Sequence, residues 1–265
     1  MRLKIQHATE YRFDQPVSYG LQQLRKTPKT SPQQHILSWQ TRVENGQKEL
    51  SFEDHFHNTV ELISFARNAT ALSVISEGEV DLTDTSGVIG PHRGPAPLWL
   101  FRRQTGLTQA KSGVRAFLRD VGADGGLEGL HDLASAIRSS VRYEIGASHP
   151  GWSAEDVLEA GAGVCQDHTH VFLSCARELG VPARYVSGYL MLDDRTVQDA
   201  MHAWAEAHVE GLGWVGFDIS NGISPDARYV RVATGLDYGD ASPVSGLRVG
   251  GDGELLDVRI DVAQQ

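Results

Sequence analysis

Apolar and polar residues alternate with a period of two from Leu3 to about Leu82, the spacing of strands that bury one face. Leu3, Ile5, His7, Tyr11 and Phe13 open the pattern, and Ile36–Val43, Val60–Phe65 and Leu72–Val80 repeat it. Asn45-Gly46, between two of these runs, is a tight-turn signal because both residues tolerate positive φ. The expectation is an antiparallel β-sandwich or barrel of about seven strands over residues 1–86, with Leu21–Pro28 as an irregular crossing. Residues 87–97 are rich in Gly and Pro and predict a linker.

After residue 97 the period changes. Val114, Phe117, Leu118 and Val121 predict a short helix; Leu127, Leu130, Leu133, Ala134, Ile137 and Val141 predict a longer amphipathic one. Ser153, with Asp156 three residues on, is a helix-start pattern for a helix that stops at Gly161. Then comes Gly161-Ala-Gly-Val-Cys165, followed by Val171, Phe172, Cys175, Ala176 and Leu179 at helical spacing until Gly180-Val-Pro182. Beyond Pro182 strands return at 183–192, 203–209 and 214–218, with Gly211-Leu-Gly213 turning the last pair, and again at 229–233 and 255–262. Segregated strands and helices define an α+β protein: an N-terminal β domain, a linker, and a core over 98–265 that includes the C-terminal strands.

Composition narrows the function. In 265 residues, 40% hydrophobic and 22% charged side chains suit a soluble globular chain with ample core. A net charge of −10 argues against nucleic acid and anionic membrane surfaces as partners. Met1-Arg-Leu-Lys-Ile-Gln-His has no apolar run behind its basic residues, so no signal peptide is expected. No later run approaches the ~20 apolar residues of a membrane span. The two cysteines, Cys165 and Cys175, lie on one predicted helix, about 15 Å apart by helical rise, and cannot pair. A reducing, cytoplasmic setting is the expectation.

Cys165 follows Gly-Ala-Gly-Val at a helix start, where free amides and the positive end of the helix dipole favour a thiolate. Such a nucleophile needs a base, and the base needs an orienting acceptor. His202 opens a strand and Asp218 ends the next one. With a turn centred near 212, the partner of His202 falls near 222 and that of Asp218 near 206, so the two share one end of a hairpin. Gln166 follows the nucleophile, where backbone N–H groups are natural oxyanion donors; its side chain is equally suited to capping the helix. Trp152 and Tyr189 are candidates for the cleft, and equally for core aromatics with satisfied polar tips. Cys175, mid-helix beside Phe172 and Ala176, reads as a buried hydrophobe. Glu206 reads as a solvated strand residue.

Gly163-Val-Cys165-Gln-Asp-His, Tyr185-Val-Ser-Gly-Tyr-Leu, His202-Ala-Trp204-Ala-Glu206 and Gly213-Trp-Val-Gly-Phe-Asp218, in that order, resemble the transglutaminase-like, papain-superfamily domains of bacteria. The resemblance implies a papain-like core, Cys165 as nucleophile, His202 as base and Asp218 as orienting carboxylate. The first eighty or so residues resemble the β domain that precedes this core in a bacterial subgroup named for cysteine protease activity. Val232–Gly246 also resembles that subgroup, which commonly has Arg where Leu236 stands. The implied activity is acyl transfer on a peptide or protein amide substrate, most simply hydrolysis, with amine transfer as the alternative and no cofactor. No calcium-loop pattern is present.

Two other classes compete. An inert peptide-binding module would leave Cys165 without a role. A zinc site would use Cys165, His168 and His170, with His55 and His57 as further imidazoles; on a helix Cys165 and His168 share a face while His170 points elsewhere, which makes a poor three-ligand site. The expectation is therefore no metal.

Overall fold

The computed structural model describes all 265 residues. β1 (Arg2–Leu24) organises the N-terminal region. Leu3, Ile5, His7, Thr9, Tyr11 and Phe13 alternate inward along its first half, as the period of two requires. Near Pro16 the register breaks, between Arg12 and Val17, and the strand continues through Leu24. Leu21–Leu24 is therefore strand rather than an irregular crossing, because it has partners on both sides.

Four further N-terminal strands follow: β2 (Gln34–Glu44), β3 (Gly46–Glu53), β4 (Thr59–Phe65) and β5 (Ala69–Leu82). The first half of β1 pairs with β5, whose far edge carries β2; the second half pairs with β4, whose far edge carries β3. Asn45-Gly46 thus closes no two-stranded hairpin. Asn45 adopts φ 60° at a corner between two wings of one sheet, and its carbonyl accepts the Ala66 N–H at 2.8 Å. Tyr11, Phe13, Val17, Leu24, Ile63, Phe65, Leu72 and Val74 form a common apolar cluster under that corner.

The chain then lays down β6 (Val88–Gly90), a 3₁₀ turn (Leu98–Arg102), α1 (Ser112–Val121), α2 (Leu127–Ser140), β7 (Arg142–Tyr143), α3 (Ala154–Ala160) and β8 (Ala162–Gly163). The Gly/Pro-rich stretch expected as a linker is partly sheet: β6 forms an edge of the second sheet. Ser153 and Asp156 cap α3 reciprocally, and Gly161 at φ 63° ends it in the left-handed conformation that glycine adopts without strain. α4 (Cys165–Glu178), β9 (Ala183–Leu190), β10 (Val197–Gln198), β11 (His202–Val209), β12 (Gly213–Phe217), β13 (Tyr229–Gly235), α5 (Tyr238–Ala241), β14 (Val244–Gly250) and β15 (Leu255–Gln264) complete the chain.

The second sheet is antiparallel with the order β13-β9-β11-β12-β6. α4 packs on β9 and β11 and is buried from Asp167 to Arg177, with the other helices around it in a core of 27 buried residues. This is the α+β architecture of helices on an antiparallel sheet. β14 and β15, grouped with the core on sequence alone, instead pair with β1 and finish the N-terminal sheet. The two sheets share one apolar cluster: Leu3, Ile5, Val80 and Val262 of the first sheet with Tyr189, Val230 and Val232 of the second. No helix is long and apolar enough to cross a membrane.

Candidate active site

α4 begins at Cys165 because Val164 is extended (φ −112°, ψ −174°) and the apolar, helix-spaced run starts just beyond. Asp167 secures that start. Its Oδ2 accepts the Val164 N–H at 2.7 Å and the Ser148 hydroxyl at 2.5 Å. The amides of Cys165 and Gln166, in the first turn, have no intrahelical acceptor available and can donate to an incoming oxygen. The Thr169 hydroxyl donates to the Cys165 carbonyl at 2.7 Å, one turn on. Cys165 itself is half-buried.

His202 begins β11, which pairs with β9 so that His202 stands opposite Gly188. Gly188 is required there: a Cβ would lie 2.5 Å from the Trp204 ring and 2.1 Å from the Val230 carbonyl oxygen. Nε2 of His202 lies 2.6 Å from Oδ2 of Asp218, leaving Nδ1 as the free ring nitrogen. The Cys165 side chain is near enough to the same ring to act on its charge. Burial alone would push the imidazole pKa down, but the charge of Cys165 and the Asp218 hydrogen bond outweigh it, and the His202 pKa is raised to about 10.

Asp218 is 1% exposed. Its Oδ2 accepts from Tyr229 Oη and from Asn221 Nδ2, each at 2.7 Å; its Oδ1 accepts the Ser220 hydroxyl at 2.9 Å and the Asn221 N–H at 3.1 Å. Burial raises such a carboxyl, yet these bonds with His202 hold it down at about 2. A permanently charged carboxylate on Nε2 fixes which nitrogen faces the thiol.

The structure brings Cys165, His202 and Asp218 together. Gln166 is half-buried, and its side-chain amide donates to the Pro150 carbonyl at 3.3 Å, tying the 144–153 loop to the start of α4. Trp152, in that loop, is half-buried against the helical core. Tyr189 belongs elsewhere. It is 1% exposed, its ring packs with the N-terminal sheet, and its hydroxyl meets His7 Nδ1 at 3.1 Å and the Lys26 carbonyl at 3.3 Å. Both faces of β9 are buried, so alternation could not say which side holds the cleft. Glu206 is likewise buried rather than solvated, at 0% exposure between Arg184 and Arg231.

Sequence reasoning missed Tyr229, Asn221 and Tyr143. Asn221 had a local signal, since Asp218-Ile-Ser-Asn-Gly is a turn sequence. Tyr143, 54% exposed, sits opposite Gly163 in the β7–β8 pair and feels the charge of Cys165.

No three His, Cys, Asp or Glu side chains are grouped to hold a metal ion. His168 turns both ring nitrogens to backbone carbonyls, those of Val164 and Val141, each at 2.9 Å. His170 is fully buried, and burial lowers its pKa to about 4. His55 and His57 are exposed in the turn after β3.

A thiol at a helix start, facing an imidazole and a carboxylate on the neighbouring sheet, defines the papain-like class of fold. Residues 115–219 match the transglutaminase-like superfamily, and residues 3–81 match the bacterial transglutaminase-like N-terminal region. Together the two matches cover most of the chain, which carries a bacterial transglutaminase-like N-terminal region followed by a transglutaminase-like core. An uncharacterized protein of Mycobacterium tuberculosis is 29% identical over 294 residues, spanning 98% of this chain and 92% of its own length. One from Mycobacterium leprae is 25% identical over 283 residues and covers 99% of both chains. The crystal structure of a "Putative Cysteine Protease from Cytophaga hutchinsonii" superimposes with a TM-score of 0.80 at 22% identity, over 99% of this chain and 90% of that one.

Proposed function

We propose that the protein is a thiol-dependent acyl transferase acting on amide or peptide bonds, with water as its acceptor, through Cys165, His202 and Asp218. The observation that carries this reading is the 2.6 Å contact between His202 Nε2 and Asp218, with the Cys165 side chain on the same ring. The raised His202 pKa favours an imidazolium beside the thiol at neutral pH, the ion pair that keeps a cysteine nucleophilic.

The Cys165 thiolate adds to the substrate carbonyl, forming the C–S bond and an oxyanion that the first-turn amides can hold. The proton on His202 Nδ1 passes to the departing amine as the C–N bond breaks, leaving a thioester and a neutral imidazole. Water then attacks the thioester while Nδ1 takes its proton. The C–S bond breaks, and the carboxylic product leaves a thiolate–imidazolium pair behind. Asp218 keeps its charge throughout and fixes the ring orientation. An amine in place of water would give amide exchange, and the name of the Cytophaga protein favours hydrolysis. The substrate class is a peptide or protein amide.

Iodoacetamide labelling at pH 7, read by peptide mass, tests the proposal. Cys165 should label far faster than Cys175, whose thiol burial pushes up to about 12. The advantage should vanish in His202→Ala. Equal, slow labelling of both cysteines in the folded wild-type protein would refute the reading.

A further inference from the structure

β13 is an outer strand of the catalytic sheet, and such a strand presents a row of unpaired N–H and C=O groups. Two of its residues are paired by side chains from the N-terminal region. Gln34, 2% exposed, donates from Nε2 to the Arg231 carbonyl at 2.8 Å and accepts the Arg231 N–H at Oε1, also at 2.8 Å. Asn58, 0% exposed, does the same for Thr234: Nδ2 donates to its carbonyl at 2.8 Å, and Oδ1 accepts its N–H at 2.8 Å. Each amide reproduces the two bonds that a neighbouring strand would make. The register shift between Arg231 and Ala233 explains why residues 231 and 234 both face outward.

The two clamps differ in what lies beyond them. Tyr229, two residues before Arg231, holds Asp218 through its hydroxyl at 2.7 Å. Its ring is edge-on to Trp204 with centroids 5.4 Å apart, and 6.0 Å from that of His202. Gln34, Trp204, Glu206, Tyr229 and Arg231 also line one cavity of about 50 Å³, so that space borders both the Gln34 amide and the start of β13. Thr234, clamped by Asn58, is farther along the strand and touches none of the triad.

We infer that Gln34 is a positioning residue for the triad: by pairing with the Arg231 backbone it fixes the start of β13, and so the Tyr229 hydroxyl on Asp218 and the ring of His202. The inference rests on the thiol chemistry proposed above, and it gives the N-terminal region a task in that chemistry. Without the amide, the Arg231 N–H loses its partner and takes water from the adjoining cavity, while the Arg231 C=O keeps only the Lys29 N–H at 3.0 Å. The strand end is then free to withdraw the phenol from Asp218. A less firmly held carboxylate supports the imidazolium less well, so the Cys165 thiolate forms only at higher pH.

The test is the rate of Cys165 alkylation by iodoacetamide from pH 4 to pH 10, on the full chain. The proteins compared are the wild type, Gln34→Ala, Asn58→Ala, Tyr229→Phe, and the double variant of Gln34 and Tyr229, each with a thermal melt. Gln34→Ala should move the half-maximal pH upward by about one unit, and so slow labelling about tenfold on the acid limb. Asn58→Ala should lose thermal stability with its midpoint unmoved. Tyr229→Phe should shift in the same direction as Gln34→Ala, and the double variant no further than the larger single shift, because both changes cut one path.

A wild-type midpoint in folded Gln34→Ala overturns the inference, as do shifts that add in the double variant or an equal shift in Asn58→Ala. Should Gln34→Ala not fold, Gln34→Glu keeps the acceptor for the Arg231 N–H and loses the donor. An upward shift there supports the inference, and a wild-type midpoint overturns it. Slow wild-type labelling, equal to that of Cys175, removes the proposed function and this inference with it. Fast wild-type labelling with an unmoved Gln34 variant removes the inference alone.

Discussion

Replacing Glu206 by Gln tests the support directly behind the proposed triad. The carboxylate lies fully buried on β11, with Arg184 Nε of β9 at 2.6 Å and Arg231 Nε of β13 at 2.5 Å, so three strands meet on one charge. The Arg184 guanidinium also lies 3.9 Å from the centroid of the Trp214 ring. Glutamine keeps the shape but offers one acceptor oxygen to two guanidinium groups, both largely withdrawn from water. Removing one partner from a buried ion pair costs about 3–5 kcal/mol; with one acceptor retained, about 3 kcal/mol is expected here. For a chain of this size each kcal/mol moves Tm by about 2–4 °C, so the melt should fall by about 6–12 °C. Urea unfolding at pH 7, followed by tryptophan fluorescence, gives the free energy directly. The sign with pH is fixed. Burial pushes the Glu206 carboxyl up, but the two arginines hold its pKa down at about 2. A carboxylate depressed in the folded state contributes stability above its unfolded value of about 4.3, and that stability is lost as pH falls through about 2. The gap between wild type and variant should therefore narrow from pH 5 to pH 2. A loss below about 1 kcal/mol at pH 7, or a gap that stays constant down to pH 2, would refute the reasoning.

Asp218→Asn puts an amide among groups that all donate, namely His202, Tyr229, Asn221 and Ser220. It should cost about 1–3 kcal/mol in urea unfolding and slow Cys165 alkylation at pH 6; unchanged alkylation would count against the orienting role. Lys26 is fully buried, with its ammonium on the Thr9 hydroxyl, and burial lowers its pKa to about 7. A base depressed in the folded state adds stability as pH rises from about 7 to its unfolded value near ~10.4. Lys26→Met should remove that rise, and a stability difference from wild type that stays flat between pH 7 and pH 10 would exclude it.

What could be read from the sequence was what is decided locally. The start of α4 at Cys165 follows from glycines, an extended Val164 and a helix-spaced apolar run within about a dozen positions, so the place of Cys165 at a helix start was legible. Ser153, Asp156 and Gly161 bounded α3 for the same reason. His202 and Asp218 were legible as one end of a hairpin but not as a bonded pair. The observed register sets Ala205 against Phe217, and Asp218 reaches His202 from the start of a separate 218–223 turn.

Choice of partner was hidden, because alternation says that a strand has a buried face and says nothing of which strand lies beside it. The pattern at Leu255–Val262 fits the edge of either sheet, and only the hydrogen bonds to β1 decide. β13 follows β12 in sequence yet joins the far side of β9, which is how Tyr229 arrives at Asp218 unannounced. Asn58 and Gln34 show the same limit in side chains. An Asn or Gln in a polar stretch reads as a turn or surface residue until an outer strand from a distant part of the chain is laid against it. Cys165, His202 and Asp218 could therefore be singled out as candidates from their own neighbourhoods, whereas the groups that hold Asp218 and β13 in place depend on the order in which strands assemble.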